Sequence, residues 1–185
     1  MQLLLKRKRF LAFGVGLMAV MLIGMTGCDP FNSNKKHPTD TKLLDVFNKN
    51  EKAFNNLVEM SNADSNVIRV AGDFTRLETN WAWPRPESQL GFTIERWDEY
   101  RSVFRRLGLE SGFSRESNSN GVTILFTASS KGMTFRGSSK GIAYSDQILS
   151  PTFESLEQQE LKPANEKHGI IYKKIKDGWY LYFDW

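Results

Sequence analysis

Few side chains in this sequence are able to do chemistry, and most of them lack partners at useful spacing. There are two histidines, His37 and His168, and one cysteine, Cys28. No HExxH pair or paired-cysteine spacing occurs, so no metal centre is expected. A GxSxG elbow, a Walker loop and a GxGxxG turn are all missing, and with them any expectation of a cofactor. His168 titrates in the right range for a base, but no serine or acid stands at motif spacing from it, and a solvated loop residue is the simpler reading. Glu95, Asp98 and Glu99 sit in the first turns of an expected helix. There they complement the helix dipole better than they form an acid–base pair. Lys173, Lys174 and Lys176 alternate with aromatic positions in the way of a solvated strand edge. The segment Trp81-Ala82-Trp83-Pro84-Arg85-Pro86 reads either as core filling or as a partner surface. Tryptophan and arginine are enriched at binding hot spots, so Trp81, Trp83 and Arg85 are the candidate partner-binding residues.

Cys28 is the one residue whose surroundings specify a reaction. Lys6-Arg7-Lys8-Arg9 forms a basic start, and Phe10 to Ile23 is an uncharged apolar run. That run is shorter than the roughly 18–20 residues of a membrane-spanning helix, and Gly14 and Gly16 weaken it further. A cleaved export signal over residues 1–27 is therefore expected. Met25-Thr26-Gly27-Cys28 resembles the lipobox of bacterial lipoproteins, with Met25 where that pattern usually has leucine. The resemblance implies that the Cys28 sulfur carries a diacylglyceryl group and that Cys28 becomes the mature N-terminus. Two or more acyl chains make a lasting anchor where one does not. In enterobacterial lipoproteins, which this start resembles, aspartate in the place of Asp29 implies retention at the inner membrane. Outer-membrane sorting is the alternative.

Processing also resets the charge balance. The full chain has 25 Lys+Arg against 21 Asp+Glu. Removing the four basic residues Lys6 to Arg9 leaves 21 against 21, so no global basic field argues for nucleic acid. With Cys28 acylated, no intrachain disulfide is available, although an exported compartment permits one. The fold must rest on packing, for which 13 Phe, 5 Trp and 5 Tyr supply material.

The elements follow from periodicity and punctuation. Residues 28–38 form a lipidated cysteine and a polar, turn-rich tether, and residues 39–185 a single domain. A first helix starts at Thr39 or Asp40 and puts Leu43, Phe47, Phe54, Leu57 and Val58 on one face. A short strand, Val67 to Ala71, precedes an irregular stretch from Gly72 to Phe92. The second helix is capped by Thr93, carries Trp97, Tyr100, Phe104 and Leu107 as a stripe, and stops at Gly108. Strands Phe113–Glu116 and Val122–Thr127 flank the turn signal Ser117 to Gly121. Ser129-Ser130-Lys131-Gly132 reads as a turn and its repeat, Ser138-Ser139-Lys140-Gly141, as a bulge or kink. A short helix is expected at Thr152–Gln159, with Pro151 at its first position.

Asp177-Gly178 predicts a type I′ hairpin between Ile170–Lys176 and Trp179–Trp185. That register pairs Lys176 with Trp179, Lys174 with Leu181 and Tyr172 with Phe183. One face then carries Ile170, Tyr172, Trp179, Leu181, Phe183 and Trp185, the other Ile171, Ile175, Tyr180 and Tyr182. The sum is an α+β domain, mainly an antiparallel sheet with two or three helices drawn mostly from the N-terminal half.

Gly141 to Ser145, followed by the closing hairpin, resembles the C-terminal part of uncharacterised proteobacterial exported proteins. Some small lipoproteins of this kind are immunity proteins against interbacterial toxins. The expected function is a membrane-tethered periplasmic binding protein with a protein partner, toxin neutralisation being one version. The alternative is a small hydrolase or ligand-binding lipoprotein using a pocket between sheet and helices.

Overall fold

The structure, a computed structural model, describes residues 36–77, 81–82, 92–132, 137–160 and 169–185. They belong to a compact unit, Lys35–Trp185. Cys28, Asp29, Trp83, Arg85 and His168 lie outside the described residues, as do the expected signal and most of the tether.

Helix α1 spans Asp40–Ala63, and the Thr39 side chain caps it by accepting from the Lys42 N–H. Its apolar stripe is buried at Leu43, Phe47, Phe54, Leu57 and Val58. The helix bends at Asn50 (φ −129°, ψ 21°), whose side-chain amide donates to the Val46 carbonyl at 2.9 Å. A side chain entering the backbone ladder is a recognised cause of such bends. Helix α2 spans Ile94–Leu107, capped by Thr93 and closed by Gly108 in the left-handed region (φ 68°). Trp97, Tyr100, Phe104 and Leu107 are buried, as their spacing requires.

Eight strands form one antiparallel sheet: β1 (Val67–Val70), β2 (Thr75–Leu77), β3 (Trp81–Ala82), β4 (Phe113–Asn118), β5 (Gly121–Lys131), β6 (Ser138–Ser145), β7 (Ile170–Lys176) and β8 (Trp179–Asp184). Their order is β3-β2-β1-β4-β5-β6-β8-β7. The domain is α+β, with its two long helices in the N-terminal half. Helix α1 packs on β6 and β8 and against α2. Phe47, Phe54, Phe126 and Trp179 meet there with ring centroids 4.9–6.1 Å apart.

The first SSKG tetrapeptide does not turn the chain. Ser129-Ser130-Lys131 continues β5 and pairs with Lys140, Ser139 and Ser138 of the second copy. The bulge lies on β5, between Thr127 and Ser129, rather than at the second copy. The reason is visible at Gly141, where a Cβ would stand 2.0 Å from the Phe126 carbonyl oxygen. Only glycine admits that approach, and β5 takes up the mismatch with an extra residue, Ala128.

The closing hairpin forms with a slipped register. Lys176 pairs with Trp179 as expected, but Lys174 pairs with Tyr180 and Tyr172 with Tyr182. A one-residue shift between Lys174 and Lys176 exchanges the faces of β7. Ile171 therefore joins Trp179, Leu181 and Phe183 in the helix-side core. Tyr172 and Ile170 join Tyr180, Tyr182 and Leu149 on the opposite face. No described non-glycine residue has positive φ, so Asp177-Gly178 does not form a type I′ turn; Gly178 alone is left-handed (φ 76°).

The segment 146–160 is a strap rather than a helix with a lead-in. Leu149 covers the tyrosines on the far face. Thr152 then bridges Tyr172 in parallel, with Tyr172 N–H to Pro151 O at 3.0 Å and Phe153 N–H to Tyr172 O at 2.8 Å. Leu156 ends in the helix-side core. Pairing with β7 occupies residues 151–153, so helix α3 is confined to Glu157–Glu160. The strap covers the edge of β7, a common remedy for an exposed strand.

Candidate functional site

A group of buried polar side chains gathers where α1 begins. Three elements supply it. Asp40 is the first residue of α1, Lys140 faces the same side of β6 as Ile142, and Glu160 closes α3. Lys140 Nζ lies 2.9 Å from Asp40 Oδ1 and 2.5 Å from Glu160 Oε1, with its side chain 0% exposed. Lys173 approaches Asp40 Oδ2 at 3.4 Å. The register slip turns this lysine inward, whereas Lys174 and Lys176 stay exposed as expected of a solvated edge and make surface ion pairs, Lys174 with Asp177 at 2.9 Å and Lys176 with Glu51 at 2.5 Å.

The backbone joins the same cluster. The Asp40 N–H donates to Glu157 Oε1 at 2.7 Å, and the Leu156 N–H donates to Asp40 Oδ2 at 3.0 Å. Burial pushes the Asp40 carboxyl up, but Lys140, the Leu156 N–H and Lys173 outweigh it and hold the group below the ordinary carboxylate range.

His37 stands beside this cluster. It is buried, although the composition of its surroundings assigned it to the tether. Its Nδ1 is 3.1 Å from Ser129 Oγ, its Nε2 is 2.8 Å from Ser138 Oγ, and its ring meets Phe183 edge-on at 5.6 Å. The fold thus uses both serine-rich tetrapeptides to hold residue 37.

A cavity of about 310 Å³ opens next to His37, between the start of α1, the end of α2 and the bulge of β5. Its floor is apolar, with Leu43, Val46, Leu107 and Ile142, and Lys36 and Lys42 stand at its polar side with Ser129. Bulged strands often sit beside sites, because the extra residue bends the ladder away from its neighbours. Here Ala128 is that residue, and it lines the cavity.

On the far face the tyrosines of β7 and β8 are buried and feel charges from other strands. Tyr172 is pushed up to about 12 by burial, then by the charges of Glu116 on β4 and Asp184 on β8. Burial also pushes Tyr182 up to about 12, against hydrogen bonds with Thr127 and Ser139. The Tyr182 hydroxyl is 2.7 Å from Thr127 Oγ1.

The three candidate acids at the start of α2 have local partners. Asp98 pairs with Arg101 at 3.0 Å and Glu99 with Arg96 at 2.7 Å. The Glu95 backbone N–H and Thr93 hold the Glu95 carboxyl low, as expected at a helix start. Arg96 also binds Asp64 at 2.8 Å, where the Tyr100 hydroxyl donates at 2.8 Å. Among the described residues no group of three His, Cys, Asp or Glu could hold a metal ion, and no helix is long and apolar enough to cross a membrane.

Of the expected partner-binding residues, Trp81 opens β3 and is in register with Arg76. Trp83 and Arg85 lie outside the described residues. The cluster at Asp40, Lys140, Glu160 and His37 was not anticipated. One signal for it was available: a lysine directly before Gly141-Ile142-Ala143, in phase with Ile142, points into the core. No family model matches the chain, and no curated protein or solved structure matches it either.

Proposed function

We propose that this protein is a binding protein facing the periplasm, anchored in the inner membrane through lipidated Cys28 and retained there by Asp29. Its partner is a protein that docks at the β3 end of the sheet through Trp81, Trp83 and Arg85, and toxin neutralisation is one form this takes. The observation that carries the reading is the place of Trp81 in the terminal strand of the sheet order. An end strand offers backbone donors and acceptors to a partner, and Pro84 and Pro86 lower the entropy lost on ordering the segment that follows.

The test is capture of a specific partner from the native host by the lipidated protein and its variants. Trp81→Ala and Arg85→Ala each abolish capture while the melting temperature stays within about 4 °C, the shift expected for about 1 kcal/mol in a chain of this size. Variants that fold poorly would instead make the segment core.

The contact between Ser129 Oγ and His37 Nδ1 at the cavity wall favours a second reading, a small hydrolase with Ser129 as nucleophile. It is the weaker one, because the other ring nitrogen faces the Ser138 hydroxyl, which stabilises an imidazolium far less than a carboxylate does. Fluorophosphonate labelling that disappears in Ser129→Ala would establish the hydrolase and displace the binding reading.

A further inference from the structure

We propose that the cavity beneath the start of α1 binds a long-chain fatty carboxylate, with its chain on the apolar floor and its head at Lys36 and Lys42. This site is separate from the partner surface at β3 and does not depend on it.

Three observations lead there. The accessible apolar lining is the half-buried Pro38, Val46 and Ala128, backed by the core residues Leu43, Leu107, Leu109 and Ile142. A water-accessible apolar lining of this kind gains from a hydrocarbon occupant, which takes it out of water. The polar side is cationic. Lys140, Lys173, Lys174 and Lys176 are all ion-paired, whereas Lys36 and Lys42, which line the cavity, make no ion pair among the described residues. The start of α1 adds the positive end of a helix dipole on the same side. The carboxylate that could neutralise this corner, Asp40, is already engaged by Lys140 and Lys173.

Size selects among amphiphiles. A volume of about 310 Å³ is at the lower end of the range of roughly 300–1,000 Å³ for small-molecule sites. It suits a single chain with a compact head, and a glycerophosphate head with a chain would overfill it. Charge argues against a neutral alcohol.

The experiment uses the full lipidated protein in phosphatidylcholine nanodiscs and a dodecanoate probe with a terminal photoreactive diazirine. Adducts are expected on the peptides holding Leu43 and Val46 of α1 and Leu107 and Leu109 at the end of α2. Excess dodecanoate displaces them, and dodecanol or lysophosphatidylglycerol does not. Lys42→Glu, at an exposed position, lowers labelling by about fivefold, the weight of one surface charge. Val46→Trp fills the cavity and abolishes labelling. Labelling spread evenly over the domain, equal competition by dodecanol, or unchanged labelling in Lys42→Glu would overturn the proposal. Displacement by lysophosphatidylglycerol alone would overturn the choice of a free carboxylate. Should Val46→Trp fail to melt cooperatively, Lys42→Glu and the competitors still decide.

Discussion

Replacing Lys140 by methionine measures how much of the domain hangs on the start of α1. The side chain is fully buried, with Asp40 and Glu160 as its partners, and Lys173 is a second cation on Asp40. Removing one member of a buried pair costs about 3–5 kcal/mol, because the partner stays buried and uncompensated. Lys173 at 3.4 Å and the Leu156 N–H at 3.0 Å still serve Asp40, and Glu160 reaches water, so the lower bound of about 3 kcal/mol applies. That is a large share of the roughly 5–15 kcal/mol that holds a domain together.

The loss also depends on pH with a definite sign. In the native protein Asp40 is held below its ordinary range, so its contribution is present at neutral pH and disappears only as pH falls through that depressed value. Without Lys140, burial dominates and the Asp40 carboxyl rises. The variant then recovers stability as pH falls toward about 4, where the wild type has lost little, and the gap between them narrows. Adding Asp40→Asn to Lys140→Met removes the stranded charge and restores about half the loss at pH 7. Urea unfolding followed by tryptophan emission at pH 7 and at about pH 4 reads both quantities. A deficit below about 1 kcal/mol, or one that does not change with pH, would mean that water already solvates the cluster and that the reasoning is wrong.

Three further outcomes are expected. Trp179→Ala costs about 3–5 kcal/mol in thermal or urea unfolding, since its ring sits among Phe47, Phe54, Phe126 and Tyr144; deletion of Trp179 to Trp185 abolishes the cooperative melt, and a melt that survives near the original temperature would refute the burial. Cys28→Ala removes the acyl mass from the intact protein and releases it from the membrane fraction, and unchanged membrane retention would disprove the anchor.

What could be read in the sequence is what local chemistry decides. Thr93, the stripe from Trp97 to Leu107 and Gly108 each specify their part of α2 without reference to anything distant. The errors lie where a contact far along the chain decides. Ser129 to Lys131 carries turn residues but continues a strand, because Gly141 lets β6 approach β5 closely. The hairpin register depends on a bulge at Ile175, which alternation alone does not encode, and every facing assignment on β7 moved with it. Thr39 and Asp40 were legible as helix-start residues, yet the partners of Asp40 are 100 residues or more away in Lys140, Leu156 and Lys173. The candidate site was hidden for the same reason: His37, Ser129 and Ser138 converge only after the sheet has formed.

The strap has a mechanical meaning as well. A helix at the start of a domain ordinarily peels away when its first residue is pulled, one contact at a time. Here the first helical residue is fastened at once to β6 through Lys140, to β7 through Lys173, and to the strap through Leu156 and Glu157. Tension entering through the chain before Asp40 is therefore shared between β6, β7 and the strap. An acylated Cys28 would make that residue the inlet for any force between envelope and partner, and the domain would resist it as a block.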